Sequence, residues 1–250
     1  VRETVIVGTG DFRQALGSVR VHASTDKEDP THHRIRLQFG RQHLTVSATD
    51  RYTGALAIVS LWGDPPPGGH GLAAVELLPD DVGKLLAIFK GGKGTQGDGI
   101  TPEQLLRLEV LPDRLRITDC SGMIDGRALQ LPRLSAEQSA SFAVVKLIEQ
   151  MQRSQATNLD EITVTGEFIG RFREAAKTYG AALKFEGHGT GALFARCGES
   201  FLGYCTAREL DRHRAARASE YSRDWSYRLP GLLDEANQIE NNVFTVSGEP

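Results

Sequence analysis

One supersecondary unit recurs three times along this chain, and that repetition constrains the fold more than any single motif does. In the first copy a short β-rich run at 4–7 gives way to Gly8, Gly10 and Asp11, with Asp11 placed to cap a helix. Phe12, Leu16 and Val19 then recur at helical spacing, while Arg13, Gln14 and Arg20 fall elsewhere on the cylinder. Next, Ile35, Leu37 and Phe39 alternate with Arg34, Arg36 and Gln38, and Leu44, Val46 and Ala48 alternate with Thr45, Ser47 and Thr49. A period of two marks half-buried strands. The apolar run 55–61 supplies a third strand. Between the last two strands, the polar segment 49–54 reads as a turn or bulge ending in Gly54, which can take a positive φ.

The unit, strand, helix and three strands, then repeats. Pro65, Pro66 and Pro67 with Gly68 and Gly69 close the first copy. A strand at 73–78, Pro79 at a first helical position, and the stripe Val82, Leu85, Leu86 and Phe89 open the second. Lys84 and Lys90 lie off that stripe. After a glycine-rich loop at 91–99, strands are expected at 106–111, 114–120 and 126–131, the first two joined by a Pro112-Asp113 turn. A third copy begins with a strand at 161–164 and a helix at 166–179 that buries Phe168, Phe172, Ala175 and Ala176. Its exposed side carries Arg171, Arg173 and Lys177, and strands follow at 182–186, 191–197 and 200–206. The expected class is α+β. The organisation is a complete domain over 1–134, a polar connector over 135–160, a reduced domain over 161–210 and a charged, aromatic tail over 211–250.

Composition narrows the function classes. With 250 residues and 40% hydrophobic content, the chain can bury a substantial core. A formal net charge of −3 does not by itself build nucleic-acid affinity, which grows from counterion release by many Lys and Arg, so any DNA contact must come from a local basic face. Arg2 and Glu3 with no extended apolar run after them make a cytoplasmic, membrane-free protein the expectation. Cys120, Cys197 and Cys205 have neither zinc-site nor disulfide-framework spacing, and the histidines support no metal site. Gly91-Gly92-Lys93-Gly94-Thr95 lacks the upstream glycine of a phosphate loop and precedes a strand, where a phosphate loop opens a helix. Asp50 and Arg51 read as turn chemistry, with no partner for acid–base work at readable spacing. In the tail, Tyr221, Trp225 and Tyr227 interleave with Arg217, Arg223 and Arg228, a pattern suited either to stacking on single-stranded bases or to docking against protein. Residues 229–233 read as a short docking segment.

Ala48-Thr49-Asp50-Arg51-Tyr52 resembles the Ala-Thr-Asp-x-x segment of the bacterial DNA polymerase III beta sliding clamp family, and the repeated unit is similar to the half-domains of those clamps. On this resemblance, residues 1–134 match one whole clamp domain. Phe142-Ala143-Val144-Val145-Lys146-Leu147-Ile148 resembles the family's connector without its proline, and Tyr204-Cys205-Thr206-Ala207-Arg208 resembles its terminal Met-Pro-x-Arg without the Met and Pro. The resemblance implies a DNA-clamp fold, no catalysis and no cofactor. It also implies a processivity factor that encircles or cradles duplex DNA non-specifically and presents a pocket to peptides of polymerases or other clamp-binding proteins. Arg13, Arg20, Lys84, Lys90, Arg171, Arg173 and Lys177 would face DNA. Thr53, Gly54, Ala143, Ile148, Cys205, Thr206 and Ala207 would line the pocket. Those residues are smaller and more polar than the family's apolar walls, so a standard peptide would lose packing at about 25 cal/mol per Å² of apolar contact. Three half-domain units in place of six imply that a ring needs further subunits, a homo-oligomer. The alternative is a clamp-derived binding or regulatory module that does not close a ring.

Overall fold

The computed structural model describes residues 3–63, 73–90, 104–153, 162–188, 191–207 and 212–246. The glycine-rich loop 91–99, the Pro65–67 run and Arg208 lie outside them. Residues 1–207 pack as one compact unit and 208–250 as another.

The first two copies of the repeat exchange their opening strands. Strand β1 (Glu3–Gly8) leads into α1 (Thr9–Arg20), and β2 (Ile35–Phe39), β3 (His43–Thr49) and β4 (Thr53–Ser60) follow. The second copy is β5 (Ala73–Leu77), α2 (Pro79–Ile88), β6 (Leu105–Val110), β7 (Arg114–Asp119) and β8 (Ala128–Pro132). Yet β1 pairs antiparallel with β6, Glu3 opposite Val110, while β5 pairs with β2, Ile35 opposite Leu77. The result is one four-stranded sheet, β1-β6-β7-β8, and a second sheet built on β5-β2-β3-β4. Alternation explains the choice of face: Ile35, Leu37, Phe39, Leu44, Val46 and Ala48 are all fully buried under α1, together with Phe12, Leu16 and Val19.

The third copy has no opening strand among the described residues. Residues 162–165 carry no strand, contrary to the expectation at 161–164, and the copy starts with α4 (Gly166–Tyr179), followed by β9 (Leu183–His188), β10 (Ala192–Cys197) and β11 (Phe201–Thr206). Its sheet continues the second one, because β11 pairs with β4 (Phe201 opposite Ala57), giving seven strands in the order β5-β2-β3-β4-β11-β10-β9. Pairing with β11 satisfies the open edge that β4 would otherwise present. The sheet thus runs from the 1–134 region into 161–210 without interruption.

Three further details differ from the sequence reading. Helix α1 begins at Thr9 with Gly8 as its N-cap, so Asp11 sits in the first turn, where its charge favours the helix dipole, and is not the cap. The 135–160 segment holds a helix, α3 (Ser141–Arg153). The tail, read from sequence only as charged and aromatic, is one helix, α5 (Arg212–Val246).

Candidate functional site

The turn between β3 and β4 is the first place where side chains converge. Asp50 Oδ1 accepts hydrogen bonds from the backbone N–H groups of Tyr52 (3.1 Å) and Thr53 (2.7 Å) and from Thr53 Oγ1 (3.0 Å). Thr49 Oγ1 accepts from Arg51 N at 3.1 Å and donates to the Thr53 carbonyl at 2.7 Å. These bonds hold Arg51 at φ 84°, so the left-handed residue is Arg51, and Gly54 lies inside β4. Gly54 is needed for another reason: a Cβ there would stand 2.5 Å from the ring of Tyr204.

Asp50 uses its other oxygen to join the first copy of the repeat to the third. Arg171 on α4 pairs with Asp50 Oδ2, donates to Thr53 Oγ1 at 2.7 Å and reaches Glu167 at 3.3 Å. The Asp50 and Arg171 side chains are only 10% and 15% exposed, so this ion pair ties α4 to the turn. Beneath it His22 is fully buried, its ring 5.0 Å from that of Phe172 and 6.3 Å from that of Phe201. Burial, with the Arg171 charge adding to it, pushes the His22 imidazole down to about 3. Above the pair a polar cleft of about 540 Å³ opens among Asp26, Glu28, Asp29, Arg51 and Tyr52. Nothing in the sequence marked His22 as part of this junction, since it follows the last turn of α1 with no polar neighbour in a motif.

The helices form the second feature. Helix α1 packs against both α2 and α4: Arg13 donates to the carbonyls of Leu86 and Phe89 at the end of α2, and Gln14 donates to the Thr178 carbonyl at 3.3 Å on α4. Of the seven cations assigned to DNA, Arg13 therefore closes the C-terminal end of α2, Arg171 holds the turn, and Lys84 pairs with Asp81 at 2.8 Å. Arg20 lies half-buried against Gly83, and Lys90, Arg173 and Lys177 are exposed. Asp80, Glu167 and Glu174 share this side of the molecule, and Arg20, Lys27, Asp80 and Glu174 line a groove of about 560 Å³. Its charge is mixed.

The third feature is the opposite face of the seven-stranded sheet. Here α3 lies across β2, β3 and β4. Val144 and Ile148 pack on Phe194 and Tyr204, with Leu56, Leu147, Met151 and Leu202 around them. Polar ties fix the start of the helix: Ser47 Oγ donates to the Ser141 carbonyl at 3.2 Å, and Ser139 Oγ donates to Glu76 at 2.8 Å, which also takes Arg36 at 2.9 Å. The seven pocket residues do not line one concavity. Thr53 and Cys205 face the helices α1 and α4, where burial raises the Cys205 thiol to about 11, and Gly54 lies under Tyr204. Ile148 is buried in the α3 contact, Ala143 is exposed beside it, and Thr206 and Ala207 are half-buried at the end of β11. The spacing of Val144, Leu147, Ile148 and Met151 is the helical signal that reveals α3.

Among the described residues no group of three His, Cys, Asp or Glu is placed to hold a metal ion, and no helix is long and apolar enough to cross a membrane. Two strand-exchanged half-domains, the helices α1, α2 and α4 gathered on one face, and a third half-domain extending the sheet define an α+β protein of the DNA-clamp fold. Solved structures similar to it are bacterial clamps. The DNA polymerase III beta subunit of Thermotoga maritima superposes with a TM-score of 0.59 at 11% identity, over 86% of this chain and 67% of that one. The sliding clamp of Bacillus subtilis gives 0.56 at 10%, over 84% and 65%, and that of Pseudomonas aeruginosa bound to griselimycin gives 0.53 at 13%, over 85% and 67%. The chain thus spans about two thirds of the length of the clamps it matches. No protein-family profile and no curated protein sequence matches it.

Proposed function

We propose that residues 1–207 act as a non-catalytic, clamp-type platform that rides on duplex DNA during replication, with the side formed by α2, α1 and α4 toward the phosphates. The observation that carries this reading is the placement of α1 between α2 and α4, which sets the helices of all three copies side by side. The clamp fold of the bacterial structures supports it. Arg20, Lys90, Arg173 and Lys177 are the cations that meet DNA, and Arg13 and Arg171, fixed within the protein, together with Lys84, paired to Asp81, shape the surface. So few contacts give weak, salt-dependent and sequence-independent binding, so retention must be topological and requires other copies to complete a ring. The test is retention of the full chain on closed circular duplex against the same duplex linearised. Slow release from circles and rapid release from linear ends supports the reading. Equal release from both overturns the ring, and no binding at low salt overturns the DNA surface.

A second reading, a clamp-derived module that holds a protein partner without closing a ring, is favoured by one observation: Ile148 is buried in the α3 contact and Tyr204 covers Gly54, two of the residues the resemblance assigns to a peptide pocket. Under it, clamp-binding peptides do not bind the native chain. Peptide titration followed by Trp62 or tail tryptophan fluorescence separates the two readings.

A further inference from the structure

Among the described residues of 208–250 there is a single helix, α5, and Tyr221, Trp225, Tyr227, Leu229, Leu232 and Leu233 on it are all exposed. Trp225, Leu229 and Leu232 are 56%, 56% and 51% exposed, and Ala218 and Ala236 stand on the same side. Their spacing is regular: Ala218, Trp225 and Leu232 are seven apart, as are Leu229 and Ala236, and the sequence carries the same three-four rhythm through Ile239, Val243 and Val246. A seven-residue repeat of this kind, with Ser222 as a polar position within it, is what the seam of a coiled coil requires.

We infer that α5 pairs with α5 of a second copy of this chain, antiparallel, as a two-stranded coiled coil. Size complementarity selects that direction. With Leu229 set opposite Leu232 of the other copy, Trp225 falls opposite Ala236, so the largest side chain of the seam meets one of the smallest. The same register sets Arg228 opposite Glu235 on the flank, opposite charges where a coiled coil places its partner-selecting pairs. A parallel pairing would stack Trp225 on itself and leave Ala236 facing itself, overfilling one layer and emptying another. The helix of 35 residues is about 52 Å long at about 1.5 Å per residue, ample for the several heptads a stable pair needs. Pro230, which breaks one helical hydrogen bond, and Gly231 fall outside the seam at the centre of this pairing. The inference rests on α5 alone and is independent of whether residues 1–207 hold DNA.

Sedimentation of the full chain between about 1 and 50 µM tests it, using concentrations across the usual range of modest association constants. The expected result is a dimer that Leu229→Glu/Leu232→Glu converts to monomer, about 100-fold weaker or more, with the melting of residues 1–207 unchanged. Arg228→Glu alone should weaken the dimer several-fold, and Arg228→Glu/Glu235→Arg should restore it. Mixing Trp225→Cys chains with Ala236→Cys chains should give a mixed cross-linked dimer under oxidation, and cross-linking mainly between like chains would overturn the antiparallel register. A monomer throughout, or a dimer indifferent to Leu229→Glu/Leu232→Glu, overturns the proposal. So does a monomer in which Trp225→Cys/Ala236→Cys closes within one chain, because α5 would then fold back on itself at Pro230.

Discussion

The seven-stranded sheet is covered on both faces, and the two coverings are built differently. Under α1 and α4 the contact is a continuous apolar layer, from Phe12, Leu37 and Phe39 across to Phe172, Phe201 and Cys205. Under α3 it is a small apolar group, Val144, Ile148, Phe194 and Tyr204, bordered by hydrogen bonds through Ser47, Ser139 and Glu76. Large aliphatic layers set the fold, because their burial scales with area and needs no particular partner. A small patch ringed by directional bonds sets where one helix sits and gives it up more readily. The first face belongs to the main core, and the second is a smaller, separate one.

Breaking each face in turn measures that difference. Phe172→Ala should cost the most, about 3–5 kcal/mol by chemical denaturation, since a fully buried ring touching His22 and Phe201 leaves a cavity that rigid strands cannot fill. Ile148→Ala should cost about 2 kcal/mol, the low end for its class, because α3 can settle toward the sheet. If it costs as much as Phe172→Ala, the α3 face is core after all. The His22 imidazole offers a third probe. Its folded pKa, about 3, lies below its ordinary value of 6.5, so between those values the unfolded chain binds the proton and the folded chain does not. Stability contributed by neutral His22 is therefore complete above pH ~6.5 and is lost as pH falls toward ~3, at about 1.4 kcal/mol per pH unit. Denaturation at several pH values should show that slope, and His22→Leu should flatten it. The smallest effect is expected from Ser47→Ala, about 1 kcal/mol for one buried hydrogen bond. Amide exchange confined to α3 would accompany it if α3 opens by itself.

How much of this was legible in the sequence follows from what each element depends on. Alternation in 35–39 and 44–48 and the helical stripe Phe12, Leu16 and Val19 report burial directly, and they placed the core face of the first copy without ambiguity. The stretch 162–164, part of the strand expected at 161–164, has β-rich residues but pairs with no strand among the described residues, so propensity yields to tertiary context. The positive φ that Gly54 could have taken falls on Arg51, because Asp50 and Thr49 supply a side-chain scaffold for the turn. The Asp50–Arg171 pair joins residues 121 positions apart, and no local pattern announces such a contact. Basic residues on a helix read alike in sequence whether they point to solvent or, like Arg13, bend back onto a neighbouring helix end.

Strand exchange between the first two copies bears on how the protein is made. β1 leaves the ribosome about a hundred residues ahead of β6, the strand it must join, and so has no ladder to enter while the whole of the first copy is being synthesised. A nascent chain of this design has to carry an apolar strand without its main ladder until Val110 has been made, which makes release or a stall before that point the moment of greatest exposure to aggregation.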